Sequence, residues 1–390
     1  MLMRKLKRGF FLKFVNFMMN FAPGATHMLF AGEGSSRQLC RHIGHSGLRK
    51  ILVVTDKPLR DLGVVDRAIA GLGESGVDCV IYDGVLPDPT YAIVEEGKAV
   101  YEREACDGIL AIGGGSSIDA AKVMGVALAH TEDPQSLAGF GLVKEVLPPL
   151  YAIPTTSGTG SEATMGAVIS DNETHEKGIL SGATMLPRAA CLDSDLMMGL
   201  PPHITAATGM DALTHAVEAY IGVWDRGDAN ECATMAVRLV FENLPKACAD
   251  GSDRAARESM AYAAYLAGQA INQVNVGNVH AIAHQLGAFY GIPHGLANAL
   301  VMPHVLDYSL EAARDRLTDL ARIIGKNTAE EFVAAVREMN QTVGIGARAE
   351  NLNPADFPAI VERALAEGDG YASPHMMVES EIMELLEKLQ

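Results

Sequence analysis

A chain of 390 residues exceeds what one small core organises and suits two domains. Its 48% hydrophobic and 20% charged residues are ordinary for a soluble globular protein, while a formal charge of −17 argues against a nucleic-acid binder, which needs a net basic surface or patch. Six scattered cysteines (Cys40, Cys79, Cys106, Cys191, Cys232, Cys248) form no CxxC pair, which points to reduced thiols in a cytoplasmic protein and excludes a disulfide frame.

The opening "MLMRKLKRGFFLKFVNFMMNF" carries Arg4, Lys5, Lys7, Arg8 and Lys13, with no acidic residue before Glu33. Lys13 and Asn16 interrupt its apolar run, so it is neither a signal peptide nor a membrane span. Two readings remain for this N-terminal extension (residues 1–28). One is a basic amphipathic helix at a membrane surface. The other, preferred, is an extra segment packed on the body or on a partner subunit.

Short apolar runs then alternate with amphipathic stretches. "ILVV" (51–54), "CVIY" (79–82), "ILAI" (109–112) and "PLYAIP" (149–154) predict buried strands, and residues 58–73, 91–105 and 117–130 predict the helices between them. Such alternation implies a Rossmann-like α/β domain, a parallel sheet with helices on both faces, over residues 29–202. Pro201 and Pro202 mark the boundary. Residues 203–390 read as successive helices without strands, an all-α domain.

Three loops of the first half carry chemistry. "DGILAIGGGSSIDAAKVMGVAL" is strand, glycine-rich turn and helix; Gly113, Gly114 and Gly115 let a pyrophosphate approach the backbone, and the helix opening at Ser116 and Ser117 offers free N–H groups. The competing reading is a tight turn that binds nothing. Asp56 ends a strand, where a carboxylate can accept ribose hydroxyls and repel a 2′-phosphate, favouring NAD over NADP; alone it would read as a helix N-cap. "PTTSGTGSEAT" (154–164) suits cofactor contacts or a hinge, and "GEGSSR" (32–37) holds only a fragment of a dinucleotide fingerprint.

The second half holds histidines. Asp211 and His215 stand four apart on one predicted helix, and His280 and His284 four apart on another, with His294 after the break at "GIPHG". One carboxylate and up to four imidazoles on facing helices suit Fe(II) or Zn(II). Spacing does not decide which of His280 and His284 binds.

"GGGSSIDAAK" (113–122), "AIPTTSGTGSE" (152–162), "ATGMDALTHAVEAY" (207–220) and "HAIAHQLGAFYGIPHGLANA" (280–299) together resemble the signatures of the iron-containing (group III) alcohol dehydrogenases, nearest to the lactaldehyde reductase, propanediol dehydrogenase and ethanol dehydrogenase branch. The resemblance runs from about residue 30 to about 365 and implies a dehydroquinate synthase-like architecture. It places metal ligands at Asp211, His215, His280 and His294, and His284 near the nicotinamide as a proton relay. It implies contacts to NAD from Asp56, Gly113 to Ser117, Thr155, Thr156, Thr164 and Lys177, and a substrate pocket at Gly166, Ile271 and Phe289, less polar than in lactaldehyde reductases. The implied cofactors are NAD and Fe(II), with Zn(II) as the alternative metal. The implied partners are a small alcohol or aldehyde and further copies of the chain in a homodimer or larger assembly. The implied reaction passes hydride from a primary alcohol, its pKa lowered by the metal, to NAD lying between the domains. Two features depart from the family pattern: the N-terminal extension, and "GYASPHMMVESEI", which lacks the usual asparagine-proline stretch. Glycerol dehydrogenases and dehydroquinate synthases share the architecture. The latter need converging Lys and Arg residues, absent from 207–220 and 278–300, and a non-catalytic NAD- and metal-binding protein is the remaining rival.

Overall fold

The computed structural model describes residues 2–19, 27–173 and 177–390. Two compact units emerge: Gly24–Leu200, an α/β unit, and Pro201–Gln390 together with Met1–Pro23, a helical unit. The chain opens with helix α1 (Leu2–Met19), which belongs to the helical unit. The stretch 20–26 of the N-terminal extension lies outside the described residues.

In the α/β unit follow β1 (Met28–Ala31), α2 (Ser35–His45), β2 (Lys50–Val54), α3 (Lys57–Asp61), α4 (Val64–Glu74), β3 (Asp78–Tyr82), α5 (Tyr91–Arg103), β4 (Gly108–Gly113), α6 (Gly115–Ala129), β5 (Leu150–Pro154), β6 (Gly166–Ser170), β7 (Lys177–Ser181) and β8 (Ala189–Leu192). Six strands form one parallel sheet in the order β1-β8-β5-β4-β2-β3, and β6 and β7 pair antiparallel beside it in sequence but in a separate sheet. Side chains alternate along each strand. Leu52, Val54, Ile109 and Ala111 therefore pack with α5 and α6 on one face, and Ile51, Val53, Leu110 and Ile112 with α2 and α4 on the other. Both faces being covered explains why these strands are near-continuous apolar runs.

The predicted strands of the first half are all present; β1, β8 and the β6–β7 hairpin were not expected from the sequence. The stretch 58–73 forms two helices instead of one, because Gly63 adopts a left-handed conformation (φ 66°) between α3 and α4. "GEGSSR" is the β1–α2 turn, and its backbone is already satisfied: Gly34 N and Ser36 N donate to the two carboxylate oxygens of buried Asp193 at 3.1 and 3.0 Å.

The helical unit continues with α7 (Pro202–Ile221), α8 (Gly227–Ala249), α9 (Arg254–Val274), α10 (Asn278–Tyr290), α11 (His294–Ser309), α12 (Arg314–Ile323), α13 (Ala329–Thr342), α14 (Phe357–Gly368) and α15 (Glu379–Leu389). Alanine-rich stretches favour helix and permit close packing, as along α9 (Ala263, Ala264, Ala267 and Ala270 buried). One apolar core joins these helices and includes Leu12 of α1. α1 thus packs on the helical unit: Arg4 Nε donates to Asp369 (2.7 Å), Arg8 Nη2 donates to the carbonyls of Tyr371 and Ser373 (2.9 and 2.8 Å), and Arg226 Nη2 donates to the Asn16 carbonyl (3.2 Å). Among the described residues, no helix is long and apolar enough to cross a membrane.

Candidate active site

In the α/β unit, the loops of interest gather at one edge of the sheet. β2 and β4 are adjacent and parallel, yet the chain leaves β2 for β3 on one side and β4 for β5 on the other. A crevice at the carboxyl ends of such strands is where open α/β sheets take ligands. Asp56 follows β2 there, and Gly113–Ser117 follow β4. Thr155 follows β5 and its N–H donates to the Gly113 carbonyl (3.0 Å). Gly113 has φ 153°, and a Cβ there would collide with the Ser117 hydroxyl, so only glycine permits this turn. Gly114, the N-cap of α6, supplies no side-chain cap, which leaves the first N–H groups of a 15-residue helix for an anion.

Asp56 caps α3 through Leu59 N (2.9 Å), and burial raises its carboxyl above the usual range. The "PTTSGTGSEAT" loop rests on a residue the sequence reading missed. Lys122 is fully buried, and its Nζ donates to Ser161 O (2.7 Å), Thr164 O and Oγ1 (both 2.9 Å) and Gly166 O (2.7 Å). Burial lowers Lys122 to about 8 and raises its buried neighbour Glu162 to about 7. Thr164 and Gly166 are thereby fixed as Lys122 acceptors. Lys177, at the start of β7, pairs with Asp88 at 3.0 Å.

In the helical unit, α7, α10 and α11 meet. Gly295 makes the approach of α11 to α7 feasible: a Cβ there would collide with the Ala207 carbonyl. Asp211 and His215 project from α7, His280 and His284 from α10, and His294 is the first residue of α11. One ligand atom each from Asp211, His215, His280 and His294 lies within 4.8 Å of all the others. Asp211 Oδ1 stands 3.9, 3.8 and 3.4 Å from Nε2 of His215, His280 and His294. A tetrahedral ion with bonds of about 2.0–2.2 Å separates its ligands by roughly 3.3–3.6 Å, close to this set. The lone pairs also converge. The Asn298 amide Nδ2 sits 2.7 Å from Asp211 Oδ1, 3.1 Å from His280 Nε2 and 3.2 Å from His294 Nε2, an N–H donor at a point where three acceptors face one another. The residues fit a divalent cation.

A carboxylate stands behind each of His280 and His284. Buried Glu218 accepts from His280 Nδ1 (2.7 Å), turning Nε2 toward the cluster, and from the N–H groups of Gly277 (2.8 Å) and Val279 (2.7 Å) at the start of α10. Burial pushes its carboxyl up to about 8 against these bonds. His284 has a different partner: its Nδ1 meets Glu367 Oε1 at 2.6 Å. Glu367 also accepts from Tyr371 Oη (2.7 Å) and Gln285 Nε2 (2.9 Å), and burial beside Glu367 holds the Tyr371 hydroxyl well above its usual range. The His284 ring stacks on His294 at 5.3 Å. Of the remaining residues, Ile271 is half-buried against the helical core, and the half-buried Phe289 ring carries the Arg363 guanidinium at 5.2 Å.

The α/β unit carries a glycine-rich strand-to-helix turn and the helical unit an Asp/His₃ cluster without cysteine, two features that a metal-dependent dehydrogenase needs. Models of two families match, iron-containing alcohol dehydrogenase over residues 26–194 and the Fe-containing alcohol dehydrogenase C-terminal family over 205–390. The chain belongs to the iron-containing alcohol dehydrogenase family, and it is an oxidoreductase of alcohols and aldehydes. It is 43% identical over 348 residues to 1,3-propanediol dehydrogenase of Klebsiella pneumoniae, covering 86% of this chain and 90% of that one. It is 37% identical over 368 residues to lactaldehyde reductase of Escherichia coli, covering 91% and 95%. Among solved structures, an alcohol dehydrogenase from Oenococcus oeni superposes with a TM-score of 0.91 at 37% identity, covering 94% and 99%. Sulfoacetaldehyde reductase from Bifidobacterium kashiwanohense, solved with NAD+, gives 0.86 at 26% identity, covering 94% and 97%.

Proposed function

We propose that this protein interconverts primary alcohols and aldehydes with NAD(H), holding a divalent cation, Fe(II) ahead of Zn(II), on Asp211, His215, His280 and His294. The convergence of those four ligand atoms on one point carries the reading. When bound, the ion supplies Lewis-acid polarisation of the substrate oxygen and NAD accepts the hydride. Glu218 fixes the His280 tautomer, so that Nε2 and not Nδ1 faces the cation. His284 donates Nδ1–H to Glu367, which leaves its Nε2 to take the proton released by the alcohol. Glu367 is held by Tyr371 and Gln285 and is a quarter exposed at its side chain, so a proton passed from His284 can reach water. On the nucleotide side, the α6 N-terminus and Gly113 to Ser117 receive the pyrophosphate, and Asp56 Oδ2, not used in capping α3, is left for a ribose hydroxyl. Thr155, Thr156, Thr164 and Lys177 complete the cofactor contacts of the α/β unit, and in the helical unit Ile271 and Phe289 give the substrate a weakly polar lining suited to alcohols longer than a short diol. The working form is a homodimer or larger assembly.

The test is His284→Ala. Turnover should fall by roughly 10²-fold or more while metal content and NAD affinity persist. Loss of metal in that variant would move His284 into the ligand set and sink the assignment. A second arm compares alcohols from ethanol to octanol; kcat/KM that falls with chain length would refute the apolar pocket.

A further inference from the structure

We propose that the outer face of α1 docks the protein onto an anionic phospholipid bilayer. Residues four apart share a helix face. Arg4, Arg8, Leu12 and Asn16 form the face that binds the body, through Asp369, two carbonyls, the helical core and Arg226. Lys7, Phe10 and Phe14 share the opposite face, with Phe11 beside them. The three aromatics are 76%, 47% and 55% exposed for Phe10, Phe11 and Phe14, and Lys7 and Lys13 are exposed with them. A helix anchored on one side and presenting three phenylalanines among lysines on the other has the composition of an interfacial segment, whose apolar side chains enter the headgroup–acyl boundary while cations meet anionic lipid.

The adjoining cleft has matching chemistry. It is open, has a volume of about 530 Å³, and is lined by Arg4, Lys7, Arg8, Phe11, Asp369 and Gly370. Three cations there face a single carboxylate: Arg4 bonds Asp369, Arg8 bonds the carbonyls of Tyr371 and Ser373, and Lys7 is exposed. A lipid phosphate at the cleft would meet the exposed Lys7.

Charge complementarity selects the occupant. The whole chain carries −17, yet its first 32 residues hold Arg4, Lys5, Lys7, Arg8 and Lys13 and no acid. Screening confines the effect of the distant acidic surface to about 8 Å at physiological salt, so the patch in contact governs attraction. A second copy is the weaker candidate: a closed two-fold contact through this face would set one basic α1 against another.

The experiment is co-sedimentation of the full chain with vesicles of phosphatidylcholine alone and of equal parts phosphatidylcholine and phosphatidylglycerol, at low and high salt. Binding should be confined to the phosphatidylglycerol vesicles and weaken with salt. Lys7→Glu with Lys13→Glu should weaken it by roughly tenfold or more, and Phe10→Ser with Phe14→Ser should also release the protein. Circular dichroism and alcohol turnover in buffer should match the unaltered protein for both variants, excluding misfolding. No sedimentation with anionic vesicles, or equal binding to neutral ones, would overturn the proposal. So would a fall in oligomer mass of the Phe10→Ser/Phe14→Ser variant without lipid, which would make the face a subunit contact.

Discussion

Replacing Glu218 by glutamine preserves size while removing one acceptor from a buried point where three donors converge. The carboxylate receives Gly277 N and His280 Nδ1 on one oxygen and Val279 N on the other, all at 2.7 to 2.8 Å. A glutamine must turn its NH₂ toward at least one of these donors. A hydrogen bond between neutral groups contributes about 0.5–1.5 kcal/mol, and a buried donor left unpaired costs about 1–3 kcal/mol, so the variant should lose roughly 1.5–4.5 kcal/mol of stability in the helical unit. The same change frees the His280 ring to adopt the tautomer with hydrogen on Nε2, which cannot bind a cation. Loss of a partner behind a metal-binding histidine typically weakens affinity about 10–100-fold. Metal-free Glu218→Gln, titrated with Zn(II) against a chromophoric chelator, should show that weakening, and thermal melts of the metal-free form should show the stability loss. An affinity within about twofold of the unaltered protein would refute the reasoning, and would reduce Glu218 to a cap on α10.

Glu162→Gln tests the buried carboxyl within the 154–164 loop. Burial raises the Glu162 carboxyl from 4.5 to about 7, so between those values the folded chain binds more protons than the unfolded one and stability falls as pH rises. The variant should therefore gain in melting temperature over the unaltered protein at pH 8 and gain less at pH 5; an equal change at both would contradict it. Lys122, lowered to about 8 from 10.5, has the opposite sign, and its contribution to stability should rise with pH from about 8 to 10.5. Glu367→Gln should lower kcat at least roughly tenfold with metal content unchanged, and Glu367→Asp should recover much of it; equal activity of all three would remove Glu367 from proton handling. Gly295→Ala should push α11 from α7 against the Ala207 carbonyl, cost about 1–3 kcal/mol, and impair metal binding as measured by metal analysis of the purified protein.

How much of this was legible in the sequence follows from the range of the interactions. The strands at 51–54, 79–82, 109–112 and 149–154 stand out because burial on both faces makes them apolar throughout. The β1 strand does not, since two of its four residues, Met28 and Leu29, are exposed at the sheet edge, and the β6–β7 hairpin mixes small and polar residues. On α7 the periodicity held more than was read from it: Glu218 lies seven residues after Asp211, two turns along the same face. Glu367 carried no such signal, because its partner His284 is 83 residues away and only packing of α14 on α10 joins them. The same holds for Lys122, an unremarkable lysine in "DAAK" until the loop 161–166 folds over it. Spacing alone leaves His280 and His284 equivalent; in the structure His280 and not His284 lies in the cluster with Asp211, His215 and His294, because only the packing of α7, α10 and α11 brings those ligand atoms together.

If a cation held by Asp211, His215, His280 and His294 supports alcohol turnover, removing it must abolish that turnover. The direct measurement is alcohol-dependent NADH formation by metal-free protein before and after reloading with Fe(II) or Zn(II), beside an Asp211→Asn variant treated identically. The metal-free protein should be silent, reloading should restore turnover, and the variant should recover little. Undiminished turnover without metal, or full restoration in Asp211→Asn, would contradict it.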